Sequence, residues 1–164
     1  MNPAATSWAF EAQDLERLDA LLGAFLDGSQ ARCALLLDRT GRLLTAAGDD
    51  AGFDRVSFAS LAAADFGASD QLARLLGERE FRSLYHQGEN GSMYLVDVAG
   101  HAILAALFDA RTTLGRVRLK TKAVVPEFAS LFAQIAARDR TVGARLEAGW
   151  LTEVEDEIDR LFAE

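Results

Sequence analysis

Residues 11–27 set Leu15, Leu18, Leu22, Phe25 and Leu26 at helical spacing among Glu, Asp and Arg. That period predicts an amphipathic helix ending near Asp27, with Gly28 as its C-cap. Two short apolar runs within 32–47 then flank Asp38-Arg39-Thr40-Gly41. This is a hairpin signal, because Asp favours the turn and Gly supplies positive φ. A loop over 48–56 leads to a second helical stretch, 57–76, anchored by Phe58, Leu61, Leu72, Leu75 and Leu76 and ended by Gly77. Three strands follow closely, 82–87, 92–98 and 101–108, separated by the turns Gly88-Glu-Asn-Gly91 and Ala99-Gly100. The last strand is apolar at almost every position, so both faces of its sheet should be covered.

Residues 113–138 read as a long third helix, with Leu114, Val117, Leu119, Val124, Val125, Phe128, Leu131, Phe132 and Ile135 as its apolar positions. Pro126 cannot donate to the carbonyl of Lys122, which predicts a kink or two helical pieces. The order is helix, two strands, helix, three strands, helix and tail. It predicts an α/β sandwich on a five-stranded, mainly antiparallel sheet with helices on both faces. The division is a domain over 10–138, a linker over 139–149 containing Gly143 and Gly149, and a tail helix over 150–163.

The tail changes the picture most. Leu151, Val154, Ile158, Leu161 and Phe162 fall on one side of a helix, and the other side is almost all carboxylate. Thr152 and Glu155 have the spacing of a capping box. A helix this short is marginal alone in water. It packs back on its own domain, docks in a partner groove, or is idle. The chain's net charge is −8, and seven acids against one base place −6 of it within 147–164. The remaining body is only mildly acidic, which argues against nucleic acid as a partner. No apolar run approaches the length of a membrane span, and no leader pattern is visible, so the expectation is a cytoplasmic protein without integral membrane association. Cys33 is the single cysteine and lies in an apolar run, as a buried structural thiol would.

Catalytic chemistry is not legible. His86 and His101 are too far apart to suggest a metal site, and Asp38 and Asp109 read as turn residues at strand ends. No phosphate-binding glycine loop or nucleophile elbow is present. Arg111, in a basic cluster with Arg116, Arg118, Lys120 and Lys122, could be imagined as an arginine finger, but reads better as a solvated helix face. No catalytic residue, metal site or cofactor is assigned. The unusual composition is instead in the second helix, Ala62-Ala-Ala-Asp-Phe-Gly-Ala-Ser69. Gly67 in a helix interior costs about 1 kcal/mol relative to Ala, which asks for a packing or contact reason. Small residues there admit another backbone closely, or simply pack the helix on the sheet.

Several segments in order resemble the roadblock (dynein light chain) superfamily. They are Leu35-Leu-Leu-Asp-Arg-Thr-Gly-Arg-Leu-Leu44, Ser60-Leu-Ala-Ala-Ala-Asp-Phe-Gly-Ala-Ser69 and Leu76-Gly-Glu-Arg-Glu-Phe81. Tyr85-His-Gln-Gly-Glu89, Met93-Tyr-Leu-Val96 and Phe108-Asp-Ala-Arg-Thr-Thr-Leu-Gly-Arg-Val-Arg-Leu-Lys120 continue the pattern. With the acidic run before Ile158-Asp159-Arg160-Leu161-Phe162, the chain is most similar to the MglB-like members, regulators of MglA-like small Ras-like GTPases. The resemblance implies a homodimer whose sheets join edge to edge, with the second helices side by side and one GTPase across them. It implies that Ala64, Gly67, Ala68 and Gln71 form the GTPase contact. Such regulators push the GTPase's own catalytic residues into place without supplying an arginine. The resemblance further implies that the tail docks on the GTPase through Leu151, Val154, Ile158, Leu161 and Phe162, and that the process is cell polarity or gliding motility, at a cell pole. Asp65, where the family commonly has Asn, and Pro126 depart from its pattern. Two other readings stay open: a roadblock scaffold that binds a GTPase or another roadblock chain without changing catalysis, and a small-ligand sensor.

Overall fold

The computed structural model describes residues 8–49 and 52–161. Helix α1 (Ala12–Ser29) starts from a reciprocal cap, in which the Glu11 N–H donates to Asp14 Oδ2 at 2.9 Å and the Glu11 side chain accepts in return. It runs two residues past the expected end and closes on Gln30, which is left-handed at φ 60°. Gly28 is not the cap but lies just before it in the helix, beside the flexible end of Lys120. A Cβ there would meet the Lys120 side chain at 3.3 Å, and its carbonyl accepts from Arg116 Nε at 3.0 Å.

Strands β1 (Cys33–Asp38) and β2 (Leu43–Gly48) form the expected hairpin. Asp38 closes its turn by accepting from the Thr40 N–H at 2.9 Å and the Arg42 N–H at 3.0 Å. Gly41 sits at φ +91°, and a Cβ there would lie 2.9 Å from Ser60 Cα, so the turn presses directly on the next helix. After α2 (Arg55–Leu75) come β3 (Ser83–Gln87), β4 (Ser92–Val98) and β5 (Ala102–Phe108). The sheet order is β2-β1-β5-β4-β3, with every ladder antiparallel, which leaves β2 and β3 as its edges.

The two central strands explain their own lack of polar alternation. Ala34 and Leu36 of β1 and Leu104 and Ala106 of β5 face one layer, where Leu18, Leu22 and Phe25 of α1 meet Val117, Phe128, Phe132 and Ile135 of α3. Cys33, Leu35, Leu37, Ile103 and Ala105 face the other layer, beneath α2. Both sides are therefore dry, and each apolar side chain moved out of water contributes roughly 1.5–3 kcal/mol. Trp8 closes the first layer against Phe132, ring centroids 5.2 Å apart.

Helix α3 runs without a break from Leu114 to Leu161. It passes Pro126, so two helical pieces do not form. It also passes 139–149, read from the sequence as a linker. Propagating an established helix is far easier than starting one, and two glycines at about 1 kcal/mol each do not stop it. Thr152 is consequently inside a helix and not at the start of one. Leu119, counted among the apolar face, is 64% exposed. Where α3 passes the start of α1, Arg138 grips Asp14 with both guanidinium nitrogens, at 2.5 and 3.2 Å, and reaches Glu11 at 3.2 Å.

The hydrogen bonds from Arg138 hold the Asp14 carboxyl below its ordinary value of 3.8 against the effect of burial. A depressed carboxylate stabilises the fold above its unfolded pKa, and the contribution fades as pH falls toward the folded value. Asp14→Asn should therefore flatten the loss of stability below pH ~4 relative to wild type. Urea midpoints of the two proteins across the acid range check this. Parallel curves would show that the clamp contributes nothing.

Candidate partner-docking face

Helix α2 begins at a built N-cap. Asp54 accepts from the Ser57 hydroxyl at 2.5 Å and from the Val56 N–H at 3.0 Å, and these bonds, the hydroxyl's first, hold its carboxyl below the usual range. The helix buries a narrow stripe, Ala59, Ala62, Phe66, Ser69 and Ala73. Phe66 supplies most of its bulk, and Phe58 packs partly under the helix against Phe53.

The opposite side corrects the sequence reading. Leu61, Leu72, Leu75 and Leu76, taken as core anchors, are 71%, 56%, 82% and 73% exposed. Ala64 and Ala68 are exposed too. Positions 61, 64, 68, 72 and 75 follow the helical period, so together they form one outward apolar stripe. Gly67 and Gln71 border it, and both are exposed. All four residues assigned to the contact thus stand together on the solvent side of α2. A Cβ built on Gly67 meets nothing within 4 Å. No close packing among the described residues requires glycine there.

The face is held rigid from behind. Arg39, in the β1–β2 turn, donates to Asp70 of α2 at 2.8 Å and to Asp97 of β4 at 3.2 Å, and lies 5.0 Å from the centre of the Phe66 ring. Burial raises the Asp97 carboxyl above its ordinary value, opposed by the Gly100 N–H and by Arg39. Asp65 bonds His86 of β3 at 2.8 Å, tying the helix to an edge strand. Sequence reasoning missed both links, since residues 21 to 58 positions apart signal nothing to each other by local pattern.

The other candidates separate. Asp38 and Asp109 lie at opposite ends of the sheet, since β1 and β5 are antiparallel and Asp38 pairs with Ala102. Arg111, in the turn before α3, donates its backbone N–H and its Nε to Asp109, each at 3.0 Å, and these two bonds keep that carboxyl below its ordinary value. His101 meets the Trp8 ring edge-on at 5.2 Å. Cys33 is buried. Leu151, Val154, Ile158 and Leu161 fall in the last turns of α3, and Phe162 lies outside the described residues. No described helix is long and apolar enough to cross a membrane.

The Roadblock/LC7 domain model matches residues 17–108, more than half of the chain. The chain belongs to the Roadblock/LC7 family. Among solved structures, MglB of Myxococcus xanthus superposes with a TM-score of 0.73 at 31% identity, covering 77% of this chain and 96% of that one. The gliding protein MglB of Thermus thermophilus gives 0.70 at 32% identity, covering 76% and 95%. An uncharacterized protein of Methanocaldococcus jannaschii is 33% identical over 73 residues, 44% of this chain and 63% of that protein. The chain therefore matches less than two thirds of this archaeal relative's length. The roadblock fold is shared with the MglB structures, and the α2 face belongs to the matched segment.

Proposed function

We propose that this roadblock chain is a GTPase-activating co-regulator of an MglA-like small Ras-like GTPase, without an active site of its own. Two chains join at the open β3 edge and set their α2 helices side by side. One GTPase lies across the paired face, with Ala64, Gly67, Ala68 and Gln71 at the closest approach. The observation that carries this reading is Gly67: an exposed helix-interior glycine with nothing within 4 Å of a built Cβ, beside an outward apolar stripe. That combination costs helix stability and exposes leucines for no internal gain, which is what a docking surface does. The likeness to MglB supports the identity of the partner. The regulator contributes positioning, pressing the GTPase's own catalytic groups into place. The tail, through Leu151, Val154, Ile158, Leu161 and Phe162, docks on the GTPase away from the nucleotide, its carboxylates supplying steering. The process is cell polarity or gliding motility, in the cytoplasm at a cell pole.

Single-turnover GTP hydrolysis by the cognate GTPase tests this, with the chain titrated in. Saturable acceleration at about two chains per GTPase is expected on the rigid-docking picture. Binding without acceleration would favour a roadblock scaffold. The double variant Ile158→Asp with Phe162→Asp should weaken binding or activation about tenfold, as two lost apolar anchors would. Unchanged affinity and unchanged hydrolysis in that variant would return the tail to an idle segment.

A further inference from the structure

On the sheet face opposite α2, a groove of about 800 Å³ runs between α3 and the β3–β4 side of the sheet. Tyr94 and Val96 of β4 and Val125 and Pro126 of α3 give it an apolar lining. Its cations are Arg82, just before β3, and Arg118 and Lys122 of α3, all exposed. Two carboxylates also line it. Asp97 is already paired with Arg39, which leaves Glu80 against three cations. Thr121, at the same place on α3, is only 3% exposed, and its Oγ1 has no hydrogen-bond partner among the described residues. A buried hydroxyl is seldom left unpaired unless something else satisfies it.

The matching ligand has an apolar face, acidic flanks and a hydrogen-bonding group. Residues 150–164 have that chemistry: Val154, Ile158 and Leu161 at helical spacing among Glu153, Glu155, Asp156, Glu157 and Asp159. The chain's own tail does not reach the groove, because Lys122 and Val154 lie in one unbroken helix, about 48 Å apart at 1.5 Å per residue. We propose that the groove receives the acidic tail of a second copy of this chain. Two α3 helices running antiparallel place each tail on the other's groove, a contact closed by a two-fold axis. It leaves the α2 face free, but it borders the start of β3 at Ser83 and draws on the same tail as the GTPase reading. A tail engaged in this way is withheld from any other partner.

The test uses the full chain and no GTPase. A fluorescent peptide of residues 150–164 is titrated onto wild type and onto Arg118→Glu with Lys122→Glu, two exposed positions, at low and high salt. Anisotropy should show binding to wild type that falls about tenfold in the double variant and weakens with salt. Sedimentation equilibrium should show mass rising beyond a dimer with concentration in wild type, and no rise beyond a dimer with the groove charges reversed or with Ile158→Asp and Phe162→Asp. Thr121→Val should raise the thermal midpoint of the dilute protein while weakening peptide binding, a split that a purely structural hydroxyl would not produce. Equal peptide affinity for wild type and the charge variant overturns the proposal. So does absence of peptide binding, including the case in which inorganic phosphate binds the groove instead.

Discussion

Gly67→Arg is expected, on the proposed function, to reduce affinity for the GTPase roughly a hundredfold or more, about 2.7 kcal/mol, while the fold and the proposed homodimer survive. Gly67 is exposed and a Cβ there meets nothing, so the larger side chain enters open space. Arg is also a better helix former than Gly by about 0.8 kcal/mol, so thermal stability should hold or rise. The cost falls on docking. A long cation beside Ala64 and Ala68 holds any approaching surface away from the helix and leaves a charge at a face built of small and apolar groups. Titration calorimetry with the GTPase, alongside melting curves and sedimentation, separates the two effects. Gly67→Ala is the control, stabilising by about 1 kcal/mol with a much smaller effect on binding. Normal binding by the Arg variant would mean that α2 is not the docking face.

Phe66→Ala, one residue away, should do the reverse. Phe66 is 1% exposed and is the large side chain by which α2 grips the sheet, since Ala59, Ala62, Ser69 and Ala73 complete that stripe. Its removal leaves a cavity above Leu35, Leu37 and Ile103 and withdraws the ring beneath Arg39. The expected loss is about 3–5 kcal/mol, a large part of the roughly 5–15 that a domain has. Urea unfolding measures it as a lower midpoint at similar slope. Phe66→Leu should cost less than half as much. A loss under about 1 kcal/mol would show that α2 is held by the Arg39 bridge to Asp70 and Asp97 rather than by packing.

These neighbours show where local pattern stops. Both sit in Ala64-Asp65-Phe66-Gly67-Ala68, and the oddity of the glycine was visible without a fold. Which leucines of α2 were core was not. Leu61, Leu72 and Leu75 have the same helical period as buried anchors, and periodicity reports that a stripe exists, not what covers it. The sheet below α2 is filled by Phe66 and small residues, so the leucines face outward. Likewise Gly28 resembles a cap in sequence, but the helix runs past it and closes on Gln30.

Sequence by itself determined the order of elements, the hairpin at Asp38–Gly41, the five strands and the covering of the last one on both faces, because these follow from residue periods and turn chemistry over a few positions. The family membership was legible for the same reason, as an ordered set of such local patterns. Tertiary structure alone decided which face of α2 is free, that α3 continues through 139–149, that Arg39 joins Asp70 to Asp97, and that Thr121 is buried beside a basic groove. Each of those depends on groups distant in the chain, or on a helix already nucleated elsewhere, and local propensity has no access to either.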